Sequence, residues 1–380
     1  MVEIPQTPKE APPARTGRRL LMKQPTMRRM ILALTPVAVS GVYFFGWRVA
    51  AVLAVCAAVG FGTEYLTSRG RHQPVSTACF VTIMLFALSL PPTVPLWIAA
   101  VGIVVAILFG KEVFGGFGRN FANPAIVGRA FVYICFPVDL TGRFVPAFKG
   151  LPGGLAHWSF TRLGELPAYL ADSGRKLVDA VSQASPMWVS REYGFDVLAH
   201  GGKGASLWDM ATGSIGGTFQ APGEEGVRVL SAGSIGEGCA ILIALTAVYL
   251  LWTRTAQWRL MLGGLAGLVA ANVLFRNVLG FDGPRQVPPL AWQLLSGTTI
   301  YAVVYMVTDP VSGAKRKGAQ LAYGIFIGMA IVVLRWRGVF VAAATFAILL
   351  GNLVGPWMDM GADAWANWRK AKAAGKEAAS

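Results

Sequence analysis

Apolar residues fall in blocks along this chain, and most blocks are closed by glycine, proline or charge. "MILALTPVAVSGVYFFGW" (30–47) and "GVFVAAATFAILLGNLVGPW" (338–357) are two of them. A bilayer's hydrocarbon core needs about 20 mostly apolar residues per spanning helix. About ten segments meet that pattern, at roughly 30–47, 49–67, 74–90, 94–110, 123–138, 236–253, 258–279, 288–308, 318–335 and 338–357. Backbone polar groups in lipid must pair within the segment, so helices are the expected element. The pattern predicts an all-α polytopic membrane protein.

Two blocks resemble each other. "STACFVTIMLFALSLPPTVP" (76–95) and "SGTTIYAVVYMVTDPVSGA" (296–314) share a small-polar start, an apolar run and a proline stop. Each precedes a further pair of helices. Five helices per half is an odd number, so the halves are expected to be inverted repeats, 30–138 and 236–358. Such repeats place sites near the midplane, at the interface between them. Chance likeness among apolar segments is the competing explanation.

Composition agrees: 54% of residues are hydrophobic and 14% charged, against about 25% charged in a soluble domain. The net charge of +15 would suit nucleic acid, but its distribution points elsewhere. Arg15, Arg18, Arg19, Lys23, Arg28 and Arg29 precede the first span, in a basic arm over 1–29. Arg69, Arg71, Lys111, Arg119, Arg254, Arg259, Lys315, Arg316 and Lys317 fall on the same side, with the basic tail 359–380. Cationic flanks mark the cytoplasmic face. Both termini are therefore expected in the cytoplasm, the chain in the cell's inner (cytoplasmic) membrane, and no nucleic acid is expected. No small-residue cleavage site follows the first apolar run, which is expected to remain as a helix.

The long stretch 139–235 then faces outward. It carries eight Lys/Arg and nine Asp/Glu, nearly neutral in a basic chain. Loops of this length are usually functional. Cys56, Cys79, Cys135 and Cys239 form no CxxC pair and read as small hydrophobes. His72, His157 and His200 lie outside the spans, which argues against a bis-histidine haem.

Candidate chemistry sits at the ends of spans. "GKEVFGGFGRNFANPAIVGRAF" (110–131) places Gly115, Gly116 and Gly118 before Asn120 and Asn123. Glycines let a backbone approach a ligand closely. Asn123 can cap the helix that Pro124 opens, and a tight turn ending in a capped helix explains the same residues. Asp309, before Pro310, ends the eighth span. Glu64 and Asp359 lie at the same level, and the three carboxylates form a candidate cation entrance. Each also suits a solvated helix end. Glu237 in "GSIGE" reads as an acid in a helix's first turn.

Together, "FALSLPPTVPLW", "GKEVFGGFGRNFANPAIVGRAF", "SQASP", "GSIGE", "LLSGTTIYAVVYMVTDPVS" and "LLGNLVGPWMD" resemble one family. It contains the NqrB component of the sodium-translocating NADH:quinone oxidoreductase (Nqr) and the RnfD component of the Rnf electron-transport complex. The resemblance covers nearly the whole chain from about residue 28. It implies FMN joined by a phosphoester to a hydroxyl of the outward loop, installed by a flavin transferase at Asp-x-x-Ser/Thr-Gly-Ala-Thr/Ser. Here that reads Asp179, Ala180, Val181, Ser182, Gln183, Ala184 and Ser185, with Ser185 as acceptor. Gln183 replaces Gly and Ser185 replaces Thr. The "SQAS" tetrad and the short link "YFFGWR" look Rnf-like, whereas the glycine-rich turn looks Nqr-like.

The resemblance also implies a second, non-covalent flavin, riboflavin in Nqr, near the cytoplasmic side. The three glycines and two asparagines above are its candidate surroundings. The implied role is the electron-transfer subunit of a sodium- or proton-translocating NADH:quinone or NADH:ferredoxin oxidoreductase. Partner subunits and quinone come with that role. A secondary transporter, or a structural subunit without flavin, is the alternative.

Overall fold

The computed structural model describes residues 20–142, 144–159, 185–201, 206–223, 228–283, 286–338 and 343–377. It is mostly helical. Four helices among the described residues are long and apolar enough to cross a membrane: Pro25–Phe45, Arg48–Gly70, Trp258–Val278 and Lys317–Arg337. The blocks expected at 74–90, 123–138 and 236–253 form shorter helices, Ala78–Leu88, Pro124–Cys135 and Ala240–Trp252. Local chemistry accounts for part of the shortening. The turn after Leu88 carries two consecutive prolines, and Asn123 caps a helix that cannot begin before Pro124.

The block 288–308 is broken. Leu290–Leu295 ends at Ser296, and a second piece starts at Thr299 and runs into a π-helical turn, Ala302–Met306. Gly297 has φ +64, in the left-handed region that a β-carbon disfavours. A break at membrane depth frees carbonyls that lipid cannot satisfy. Arg335 of the Lys317–Arg337 helix supplies the donors. Its Nη1 donates to the Gln293 carbonyl at 2.8 Å and its Nη2 to the Ser296 carbonyl at 2.9 Å.

The helix Leu96–Ile107 also ends in a π turn, Leu108–Glu112, which carries Lys111 and Glu112 into the interior. Here Gly110 packs on Pro124; a β-carbon on it would lie 2.7 Å from the Pro124 Cα. Extra residues of this kind inside a helix often mark functional sites.

Packing follows one scheme in both parts of the chain. Arg48–Gly70 packs on Leu96–Ile107, which packs on Pro124–Cys135. Trp258–Asn272 packs on Lys317–Arg337, which packs on Ala343–Glu377. The parts meet where Pro25–Phe45 touches Ala240–Trp252 and where Pro124–Cys135 touches Ala343–Glu377. Small residues allow the closest approach: a β-carbon at Gly324 would lie 2.6 Å from the Leu260 carbonyl.

Between these parts, Ala147 donates its N–H to Ile215 and Phe148 to Phe44. A two-stranded antiparallel sheet pairs Gly217–Phe219 with Arg228–Leu230. The short parallel pairing of Leu21–Met22 with Val75–Ser76 ties down the chain ahead of the first helix.

Candidate functional site

Two cavities lie at opposite ends of the helices Ala78–Leu88 and Pro124–Cys135. The first, about 290 Å³, is bordered by the long loop. Ser185 lies in its wall as the N-cap of the helix Pro186–Glu192, with Pro186 at the first helical position. Serine followed by proline is a favoured helix start. The Ser185 hydroxyl oxygen accepts the Trp188 N–H at 3.4 Å, and the residue is buried. Asp179, Ser182, Gln183 and Ala184 lie outside the described residues.

The deeper wall carries charge. Arg129 Nη2 lies 3.6 Å from Glu237 Oε1 and 3.4 Å from the Ser234 hydroxyl. Arg335 reaches the same cavity beside Gly297 and Thr298. Arg129 and Arg335 are 5% and 4% exposed, and the Nε of each has no hydrogen-bond partner. A buried donor left unpaired costs about 1–3 kcal/mol, and Arg71 Nε elsewhere is in the same state. The sequence reading missed both arginines, although an ionisable side chain inside an apolar block is a functional candidate by default.

The second cavity lies among the basic turns. It is about 60 Å³, lined by Asn120, Asn123, Lys111, Tyr305 and Asp309 among others. Its polar groups are largely engaged. Asn123 Oδ1 accepts from the Ala125 and Ile126 amides, and the Asn123 N–H donates to Asn352 Oδ1. Asn120 Nδ2 donates to the Ala122 carbonyl at 2.9 Å. Asp309 Oδ1 accepts from the Val311 amide and Oδ2 from the Ser312 hydroxyl. Burial raises the Asp309 pKa above the usual aspartate value, and the Ser312 hydrogen bond opposes it.

A third cavity, about 320 Å³, adjoins the second and shares Phe117 with it. Gly115 and Gly116 line it with Glu64, while Gly118 lines neither. Glu64 is buried and fully engaged. Its Oε2 accepts from Lys111 Nζ at 2.6 Å, and its Oε1 from the Ser76 amide and hydroxyl. Glu112 pairs with Arg71.

The three carboxylates are thus brought into different settings. Glu64 is bonded to Lys111, and Lys111 and Asp309 both line the second cavity. Asp359 lines neither of these two cavities; it accepts the Lys315 and Arg316 amides at the start of the Lys317–Arg337 helix. The Arg316 side chain pairs with Asp363, not Asp309.

A sequence model of the NQR2, RnfD, RnfE family matches residues 11–364. Among named relatives, the chain is 33% identical over 311 residues to the NqrB component of the Na(+)-translocating NADH-quinone reductase of Azotobacter vinelandii. That alignment covers 81% of this chain and 65% of the relative. The same component from Chromohalobacter salexigens is 33% identical over 81% of this chain and 64% of its own length. That of Pseudomonas aeruginosa is 32% identical over 79% and 63%. The match therefore spans somewhat less than two thirds of each relative.

Proposed function

The chain belongs to the NQR2, RnfD, RnfE family, and from that premise we propose that it is the electron-carrying membrane subunit of a redox-driven, ion-translocating oxidoreductase. In this reading FMN is esterified through its phosphate to the Ser185 oxygen. The observation that carries it is Ser185 itself, a buried hydroxyl in the wall of a cavity whose other side holds two arginines with unpartnered Nε atoms. These residues fit an anionic, acceptor-rich group. The bound flavin supplies the redox chemistry. The chain supplies the attachment oxygen, cationic donors and shelter from water.

Electrons arrive from a partner protein at the loop side and leave at the opposite side, towards quinone or another acceptor, with sodium or proton movement coupled to their flow. Ten spans in two inverted five-helix repeats suit the packing, because the contacts of Arg48–Cys135 recur in Trp258–Glu377. Both termini lie in the cytoplasm and 139–235 outside. A second, non-covalent flavin belongs with the glycine-rich turn. The 60 Å³ cavity at Asn120 and Asn123 is small for it, since ligand pockets run from about 300 Å³. The adjoining cavity at Gly115 and Gly116 reaches that size. Asp309, Glu64 and Asp359 attract the cation on that side.

The test is co-expression with a flavin transferase, denaturation and in-gel fluorescence. Wild type and Ser185→Thr are expected to fluoresce and Ser185→Ala to stay dark. A band that persists in Ser185→Ala overturns the attachment site. No band in wild type overturns the flavin reading and leaves a permease or structural subunit.

A further inference from the structure

The helix Ala343–Glu377 presents an exposed aromatic face. Trp357, Trp365 and Trp368 recur at i, i+8 and i+11, the spacing of one helical face. All three are more than half exposed, as is Met360 beside them. The opposite side of the same stretch is engaged. Met358 and Ala362 pack against the core, Asp359 accepts the Lys315 and Arg316 amides, and Asp363 pairs with the Arg316 side chain. The helix cannot turn its tryptophans inward without breaking these contacts. Two of the rings also carry cations. Arg369 Cζ lies 5.1 Å from the centroid of the Trp365 ring, and Lys372 Nζ 5.0 Å from that of Trp368. From Ala364 to Lys372 the chain holds Arg369, Lys370 and Lys372 and no acidic residue.

We infer that the face formed by Trp365, Trp368, Arg369 and Lys372 docks in the headgroup layer of the bilayer and binds anionic phospholipid there. Depth supports it. Lys317–Arg337 holds 21 residues, about 31 Å of rise, enough by itself to fill a hydrocarbon core of about 30 Å. Its N-cap, Arg316, bonds to Asp359 and Asp363, so the edge of the core lies at their level. Trp365 and Trp368 follow Asp363 by roughly 3 and 8 Å of rise, and helical side chains lean back towards the N-terminus, here towards the core. The headgroup layer is about 5–8 Å deep on each side, so both rings fall within it. Trp357 and Met360, short of that edge, meet acyl chains instead. Tryptophan, with an apolar body and a polar N–H, favours the headgroup level, and the cations beside it meet lipid phosphates. A protein partner suits the face less. Interface cores are depleted in lysine, and burying these rings would bury the cations set over them. The inference holds whether or not flavin is attached at Ser185.

The test uses the full chain with Cys135→Ser and Cys239→Ser, which leaves the buried Cys56 and Cys79. One spin label is placed through Ala371→Cys, an exposed position one turn beyond Trp368 on the same face. The chain is put into nanodiscs of phosphatidylcholine with a rising share of phosphatidylglycerol. Power saturation then reads collision of the label with a neutral, water-soluble nickel chelate. With the native face, collision is expected to fall as the anionic share rises. Arg369→Gln/Lys372→Gln should weaken this docking about fivefold for each charge removed. Trp365→Ser/Trp368→Ser should leave the label in water at every composition; if that variant fails to fold, the charge variant decides alone. A label as accessible in anionic discs as in neutral ones overturns the inference, and so does a charge variant with an unaltered response. A label shielded only when the chain is assembled with other subunits, whatever the lipid, assigns the face to a protein partner and overturns it as well.

Discussion

The cavity beside the loop and the cavities among the basic turns are both built from polar side chains in an apolar setting, but they resolve that conflict differently. On the turn side most of the groups satisfy one another, although Arg71 Nε has no hydrogen-bond partner. Lys111 serves Glu64, Ser76 serves Glu64 twice, Arg71 serves Glu112, and Asn123 is bonded to backbone and to Asn352. On the loop side, among the described residues, Arg129 and Arg335, deeper in the helices, each keep an Nε–H without an acceptor. A self-satisfied network needs no ligand to be stable, whereas a buried donor without an acceptor costs about 1–3 kcal/mol.

The largest expected effect comes from breaking the self-satisfied side. Lys111→Met leaves Glu64 buried with its ammonium partner gone, and removing one partner of a buried pair costs about 3–5 kcal/mol. A thermal melt in detergent should show it, and the double variant Lys111→Met/Glu64→Gln should recover much of the loss. Labelling at Ser185 should be unchanged, because that cavity uses none of these groups. On the loop side, Glu237→Gln should cost less, about 1–3 kcal/mol, since Arg129 sits 3.6 Å away and is held more loosely.

A finer probe concerns Asp309. Asp309→Asn should weaken the sodium dependence of turnover in the assembled complex about tenfold, the size of one charge-assisted contact of ~1.5 kcal/mol. Flavin content should stay normal. The same site should respond to acid. Its pKa is raised by burial, so the carboxylate is protonated at a higher pH than an exposed aspartate. Sodium response in wild type should therefore fall as pH drops through that raised value, and the sensitivity should vanish in Asp309→Asn. A wild-type sodium curve unchanged across mildly acidic pH would remove Asp309 from the cation route. The smallest effect is the control: Asp363→Asn breaks the exposed Arg316 pair and should shift stability by no more than about 1 kcal/mol.

Much of this molecule can be read from its residues. The long helices follow from apolar block length, and the Ser185–Pro186 start follows from cap chemistry. Asp309, Glu64 and Asp359 stand out because they adjoin apolar blocks that carry few ionisable residues. Their partners are not legible. Lys111 looks like one of many cytoplasmic-flank cations, yet the π turn at Leu108–Glu112 rotates it inward to Glu64. Arg335 sits 42 residues from Gln293, and nothing local announces that it mends a broken helix. The break itself is marked only by the small-polar run Ser296, Gly297, Thr298 and Thr299, which reads equally well as the start of a repeat. Periodicity reports which residues avoid water; it does not report which distant donor meets a freed carbonyl.

The helix Ala343–Glu377 holds 35 residues, about 52 Å of rise, against a hydrocarbon core of about 30 Å. It contains Pro356, beyond which 21 residues continue to Glu377. That segment is a lever arm of roughly 32 Å. A pivot of about 10° at the proline sweeps its tip through some 5–6 Å, at ~1.5 Å of arm per residue. Asn352 donates to the Tyr323 hydroxyl just before the proline and holds that end of the helix in place. A spin or fluorescent label near residue 370 is expected to report any such pivot.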